Sequence, residues 1–304
     1  MERIVSLLPS TTEIACALDF QDALVGRSHE CDFPPGVTQL PVLTEPKLDS
    51  SRPSAEIDRQ VKARVRDGLS VYRVDADRLR ELDPAVILTQ DQCEVCAVSL
   101  SDVEDALNEW MGSRPRLLSL KPATLGDVWR DIQRVADVLG RPERGESLTA
   151  DLTHRVSETA ERALRIKERP RVACVEWIDP LMMAGNWMPE LVSLAGGRNL
   201  FGDVGTHSPW TDWKALREAD PDVIVVLPCG FDLARTRAEM EPLTAQPGWS
   251  ELRAVRNRRV HLTDGSQFFN RPGPRLVESL EILAEILHPD EFPPEHRDSA
   301  WQSL

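Results

Sequence analysis

Short apolar runs alternate with polar, Pro-containing stretches along the first part of the chain: RIVSLL (3–8), ALVGRS (23–28), PVLTE (41–45), SVYRVD (70–75), AVILTQ (85–90) and RLLSLK (116–121). Continuous apolar runs with little alternation suit strands covered on both faces, as in a parallel sheet. Helical patterns fall between them. One covers 11–18 after Pro9-Ser10, and Glu13 stands three residues after Ser10, so Ser10 is expected to open that helix in a capping box. A short helix is expected over 77–82, ended by Asp83-Pro84, and another over 101–110 from a serine cap.

The pattern then changes. TLGDVWRDIQRVADVLG and ERGESLTADLTHRVSETAERALRIK hold two long amphipathic stretches, with Val128, Ile132, Val135, Val138 and Leu139 at helical spacing and a break at Gly140-Arg141-Pro142. After Pro170 the alternation resumes. RVACVEWI and LMMAGN read as a hairpin or successive strands, a helix over 188–195 ends at Gly196-Gly197, VIVVLP and RVHLTD read as strands, and 274–287 as a last helix. The expected architecture is α/β: two Rossmann-like lobes joined by a long helical bridge, with a ligand cleft between them. The boundaries are 1–121 for the N-terminal lobe, 122–169 for the bridge, 170–289 for the C-terminal lobe and 290–304 for a Pro-rich, charged tail expected to be partly disordered.

Composition narrows the partners. A net charge of −14 over 304 residues argues against nucleic acid or an anionic membrane surface, since both reward positive charge. No run of 18 or more apolar residues occurs, and the start of the chain lacks the pattern of a secretory leader, so a cytoplasmic protein is expected. The cysteines, 6 in all, are then expected as core residues, metal ligands or reactive thiols rather than as a disulfide framework.

In α/β sheets ligands sit beyond the carboxyl ends of the strands. Polar, aromatic and sulfur-bearing residues collect at those ends: Pro9-Ser10-Thr11, His29-Glu30-Cys31-Asp32, Gln90 to Cys96, Glu176-Trp177, Pro228-Cys229-Gly230-Phe231 and Gln267-Phe268-Phe269-Asn270-Arg271. The segment TQDQCEVCAVS has three open readings. With His29 and Cys31, Cys93 and Cys96 would offer one nitrogen and three sulfurs, a set suited to zinc or another soft metal. The cysteines are otherwise small core residues, or a dithiol pair. No Gly-x-Ser-x-Gly, P-loop, Gly-x-Gly-x-x-Gly or His-Glu-x-x-His motif occurs, and no nucleophile, base and orienting group can be read out. An enzyme is not expected.

Five segments, in this order, carry a resemblance: RIVSLLPSTTEIACALDFQDALVGRSHECDFP, LRELDPAVILTQ, LVSLAGGRNLF, LREADPDVIVVLPCG and RPGPRLVESLEILAEILHP. Together they resemble the substrate-binding proteins of ABC transporters with a helical backbone between the lobes (class III periplasmic binding proteins), in particular the cobalamin-binding branch. The HECD and CEVC segments resemble a leaderless subgroup. The resemblance implies a binding protein for cobalamin or a related corrinoid, acting as a cytoplasmic carrier or sensor or beside an ABC transporter permease. The residue types at strand ends and in the loops then give the expected ligand contacts as Ser10, Thr11, His29, Cys31, Gln90, Glu176, Trp177, Trp187, Trp210, Phe268, Phe269 and Arg271. The tryptophans and phenylalanines would wall a planar macrocycle. The helix N-terminus at Ser10-Thr11 would meet a ligand carbonyl or phosphate, and Glu176 and Arg271 its amides. His29, His207 or a thiolate could ligate cobalt. Two alternatives are a Cys/His-ligated zinc or iron protein and a binder of haem or another metal chelate.

Overall fold

The computed structural model describes residues 2–66, 71–90, 103 and 114–304. The chain forms two compact units. One comprises Met1–Arg52, Glu56–Pro122 and Gly126–Ala150, the other Pro53–Ala55, Ala123–Leu125 and Asp151–Leu304.

The first unit is built on β1 (Ile4–Ser6), α1 (Pro9–Ala17), β2 (Leu24–Arg27), β3 (Thr44–Pro46), α2 (Ser54–Arg66), β4 (Tyr72–Val74), α3 (Ala76–Leu82), β5 (Val86–Gln90) and β6 (Arg116–Leu120). Its main sheet runs β2-β1-β5-β6 with every pairing parallel, while β3 and β4 form a small antiparallel ladder. Every residue of β5 is buried, the apolar Val86, Ile87 and Leu88 together with the polar Thr89 and Gln90. Val5, Leu7, Leu43, Tyr72, Leu79 and Ile87 pack into one core beside this sheet. Leu8, not Ser10, is the N-cap of α1, and Pro9 takes the first helical position, where a missing N–H costs nothing. The expected capping box is therefore absent. α2 carries no apolar run that would announce it.

The helices α4 (Leu125–Val138) and α5 (Pro142–Leu164) fill the span read as a bridge. Val128, Ile132, Val135 and Ala136 are fully buried on one face of α4. The division between units falls inside α5, after Ala150, so most of α4 and the first turns of α5 belong to the first unit rather than to a separate segment.

The second unit continues with β7 (Arg171–Trp177), β8 (Met182–Met183), α6 (Met188–Leu194), β9 (Arg198–Asn199), α7 (Trp213–Ala219), β10 (Val223–Val226), α8 (Leu233–Ala238), β11 (Val260–Thr263), α9 (Leu276–Leu287) and β12 (Trp301–Ser303). Its sheet runs β12-β11-β10-β7-β8, with β9 beside β7. β7, β10 and β11 are parallel, and β8 is the antiparallel return of β7. Val175, Met183, Ile224, Val226, Trp249 and Leu262 share its core.

The stretch read as a disordered tail is instead structured. β12 pairs antiparallel with β11, and Trp301 is buried. The Trp301 indole donates to Glu285 Oε2 at 2.8 Å, and His296 Nδ1 lies 2.6 Å from the other oxygen of that buried carboxylate. Trp301 also meets the His261 ring edge-on at 5.3 Å. One apolar anchor and two charge-assisted bonds outweigh the local preference for disorder. No described helix is long and apolar enough to cross a membrane.

Candidate functional site

In the first unit the parallel strands bring the residues after β1, β2 and β5 to one end of the sheet. A hydroxyl cluster forms there. Ser6 Oγ and Thr11 Oγ1 are 2.7 Å apart, and Thr12 Oγ1 lies 2.8 Å from Ser6 Oγ and 3.0 Å from Cys31 Sγ. The Ser10 hydroxyl donates to Gln90 Oε1 at 3.3 Å, tying α1 to the end of β5. Ser10, Thr11, Cys31 and Gln90 are all buried, so the structure places these expected ligand contacts inside the unit, bracing it. Burial alone would make such hydroxyls costly, and their mutual bonds remove that cost. Cys16 is half-buried nearby, and burial, then Glu13 and Cys31, push its thiol pKa up to about 12.

His29 is different. Its side chain keeps a quarter of its surface (25%) exposed. Both its backbone N–H and Nδ1 meet Thr44 Oγ1, at 3.0 and 2.7 Å, and the Thr44 hydroxyl donates on to Ser28 Oγ at 3.0 Å. The imidazole rests against Tyr72, with ring centroids 5.7 Å apart. The Arg27 guanidinium fixes the loop by donating to the carbonyls of Ser28 at 2.9 Å, Cys31 at 3.1 Å and Thr38 at 3.1 Å. Burial, then the Arg27 charge, hold the His29 pKa below the usual imidazole value.

The second unit offers a different surface. Trp177, at the end of β7, packs on Phe231 with centroids 5.3 Å apart, and its indole donates to the Asp179 carbonyl. Phe231 is itself buried, with the Arg235 guanidinium 3.8 Å from its ring centroid. The Glu176 carboxylate receives the Ser208 hydroxyl, 2.8 and 2.9 Å from its two oxygens, and Ser208 Oγ accepts the Gly185 N–H at 3.1 Å. A Cβ on Gly185 would stand 2.5 Å from the Thr206 carbonyl, so only glycine permits this approach. Gly265, after β11, is tighter: a Cβ there would be 2.2 Å from the Pro228 carbonyl. Asn270 knits the same loops by donating to the Leu227 and Gly265 carbonyls, each at 2.9 Å.

Trp210 stands out on this unit with 53% of its surface exposed, whereas Trp187 and Phe269 are interior. The Trp187 indole donates to the Phe269 carbonyl at 2.7 Å. Both rings are covered within the unit, at 5% and 0% exposure, where the expectation had them facing a ligand. Phe268 and Arg271 are buried at 8% and 7% exposure, and Arg275 lies over the Phe268 ring at 4.3 Å. His207 is exposed, with Nδ1 3.2 Å from the Ser208 carbonyl.

Cys93 and Cys96 lie outside the described residues. Among the described residues no three His, Cys, Asp or Glu side chains gather as a metal site, and Cys31 turns its sulfur inward to Thr12. The four-ligand zinc reading thus has nothing here to support it. Residues that sequence reasoning missed are Thr44, Arg27 and Ser208. Thr44 and Ser208 act by reaching side chains well separated in sequence, and Arg27 by gripping the carbonyls of its own loop, and no local pattern marks any of them.

The sequence profile of the family described as periplasmic binding protein matches residues 4–266. The chain belongs to that family. Three relatives give this periplasmic binding protein its context. The uncharacterized ABC transporter substrate-binding lipoprotein YvrC of Bacillus subtilis (strain 168) is 24% identical over 297 residues, covering 96% of this chain and 81% of that protein. A vitamin B12-binding protein of Vibrio cholerae serotype O1 is 23% identical over 296 residues, covering 94% of this chain and 89% of that one. The structure of the periplasmic heme-binding protein RhuT from Roseiflexus sp. RS-1, in its apo form, superposes with a TM-score of 0.71 at 24% identity, covering 95% of this chain and 98% of that chain. This last likeness is one of fold.

Proposed function

We propose that this periplasmic binding protein family member binds cobalamin or a related corrinoid. The observation that carries the reading is the surface at the carboxyl ends of β7, β10 and β11. There Trp177 is backed by Phe231, Trp210 is exposed, and the Glu176 carboxylate is held by Ser208. A broad indole face suits the flat body of a macrocycle, and a fixed carboxylate suits the amide donors at its rim. The vitamin B12-binding relative supports the same ligand class. The ligand's onward partner in this proposal is a transporter of the ABC type, the context in which the Bacillus relative is named.

A second reading is haem, favoured by the heme-binding neighbour in fold. The two are separated by titrating the purified protein with cyanocobalamin, aquocobalamin and haemin while following tryptophan fluorescence and visible absorption. Saturable quenching by the cobalamins, at lower concentrations than haemin needs, is the expected result. Tighter haemin binding would replace the first reading with the second. Absence of saturation by all three would refute both.

A further inference from the structure

The loop that follows β11 carries Phe268 and is held at its root by Asp264. The buried Asp264 carboxylate accepts the backbone N–H groups of Ser266 at 3.0 Å and Gln267 at 2.8 Å, and the Gln267 side-chain amide at 3.1 Å. The Asp264 N–H is itself given to the Ala300 carbonyl at 2.8 Å, and Ala300 leads directly into β12. A turn closed on one buried carboxylate places Ala300. Glu285 of α9 receives the Trp301 indole at 2.8 Å and the His296 backbone N–H at 3.2 Å, with the His296 ring at 2.6 Å, and the Ala300 N–H donates to the His296 carbonyl at 2.9 Å. Beyond it, β12 lies along β11 with Ser303 opposite His261, and the Leu304 N–H reaches the Val260 carbonyl at 3.0 Å. Bonds thus run from α9 through the turn to the loop after β11, all inside the second unit.

His261 lies beneath β12. Its ring is buried against Trp301, and neither nitrogen has a hydrogen-bond partner among the described residues. The charged groups around it are Arg259 on its own strand, Arg297 on the turn and, across Trp301, Glu285 of α9 with His296 bound to it. A proton on this ring would bring an N–H with no acceptor and a charge facing two guanidinium groups.

We propose that β12 is an acid-released strap on the loop after β11, so that protonation of His261 lifts the strap, frees the loop and loosens the hold of the ring face on its ligand. The identity of that ligand rests on the corrinoid reading above; the strap does not. Covered, His261 has its pKa lowered from 6.5 to about 4, so the lifted state binds a proton that the covered state refuses. The strap is most firmly down above the ordinary imidazole value, and the ratio of covered to lifted molecules falls about 30-fold between pH 7.5 and 5. His296, raised by its Glu285 bond, stays charged through that window, and Asp264, raised by burial, favours the closed loop in acid, so neither drives the release.

Amide hydrogen exchange on the whole chain, followed by NMR and corrected for intrinsic rates, tests the strap without ligand. The Leu304 and Asp264 amides should exchange at least about 10-fold faster than the Ile224 amide of β10, because lifting needs less than unfolding. Their protection should fall about 30-fold from pH 7.5 to 5, and His261→Phe, shown to be folded by circular dichroism, should abolish the fall. Exchange in step with Ile224 would mean that β12 leaves only when the unit unfolds. Protection of Leu304 that ignores pH would remove His261 as the trigger. Either result overturns the proposal, and the wild-type profile decides it even without the variant. Cyanocobalamin at about 100 times its Kd, with occupancy checked by equilibrium dialysis, should then raise the protection of both amides by up to about 100-fold. Bound cyanocobalamin that leaves Leu304 unchanged would overturn the coupling to the ring face. Failure of cyanocobalamin to bind would overturn the corrinoid reading and the release of that ligand, while exchange in the free protein would still decide the strap.

Discussion

Both units present the carboxyl ends of parallel strands, yet the two ends are made of different material. In the first unit that end carries small hydroxyl side chains, Ser6 with Thr11 and Thr12, Ser28 with Thr44, and Ser10 with the Gln90 amide, each bonded within the unit. In the second they carry large rings and a charged acceptor: Trp177, Phe231, Phe268, Trp210 and Glu176. The same backbone arrangement thus gives a rigid polar frame in one place and a broad apolar face in the other. The fold decides where a ligand can be met, and the side chains following each strand decide with what. A frame made of hydrogen bonds is sensitive to losing one partner. A face made of stacked rings is sensitive to losing volume.

The contrast can be broken most strongly at Phe231. Phe231→Ala removes the buried ring beneath Trp177, and about 3–5 kcal/mol of stability should go with it, read from urea denaturation curves. An effect below about 1 kcal/mol would mean that the face does not depend on its underlying packing.

Acid should act next, on the second unit. His261 is 7% exposed, its ring nitrogens have no hydrogen-bond partner among the described residues, and burial, then Arg259 and Arg297, lower its pKa from 6.5 to about 4. The unfolded chain therefore binds a proton that the folded one refuses. Stability is fully present above the unfolded value and is lost as pH falls through that window, by up to about 3 kcal/mol. His261→Phe should flatten the dependence between pH 7 and 4, measured by denaturation midpoints. An unchanged slope would place the acid sensitivity elsewhere. His296 acts with the opposite sign. The Glu285 bond raises its pKa, so its support is complete below the ordinary imidazole value and fades as pH rises through the folded one.

Thr12→Val tests the polar frame. It keeps the volume and takes a hydroxyl partner from Ser6, and should cost about 1–3 kcal/mol with the urea m-value unchanged. The smallest structural effect is expected at Trp210. Because that ring is 53% exposed, Trp210→Ala should leave stability within about 0.5 kcal/mol of wild type. It should still weaken cobalamin binding in the fluorescence titration. Unaltered affinity would remove Trp210 from the proposed face.

The strands β1, β5, β7 and β10 were legible because each lies in a short apolar run, and α4 because Val128, Ile132 and Val135 recur at helical spacing. The helix α2 escaped notice, since its sequence SAEIDRQVKARVR is mostly polar. β12 escaped because Trp301 gains its place from Glu285 and His261, which a local reading does not see. The site divided along the same line. Residue types at strand ends pointed to His29, Glu176, Trp177 and Trp210, and all four retain accessible surface. Ser10, Thr11, Cys31, Trp187 and Phe269 have equally suggestive chemistry but are buried. What separates the two groups is which neighbour each side chain faces, and that is fixed only when strands pair in register. Thr44 shows the point most clearly. Nothing in PVLTE marks it, yet it is the group that orients His29.

The two glycines that let these loops close set a boundary on how the site could be re-engineered. At Gly185 and Gly265 even the single carbon of alanine would collide with a main-chain carbonyl, and main chain has no rotamer with which to yield. A randomised library aimed at a new ligand would find diversity tolerated at Trp210 or Gln267. At the two glycines it would recover the parent codon. Altered specificity in this scaffold must therefore be sought in the side chains hung around that junction, with its spacing inherited unchanged.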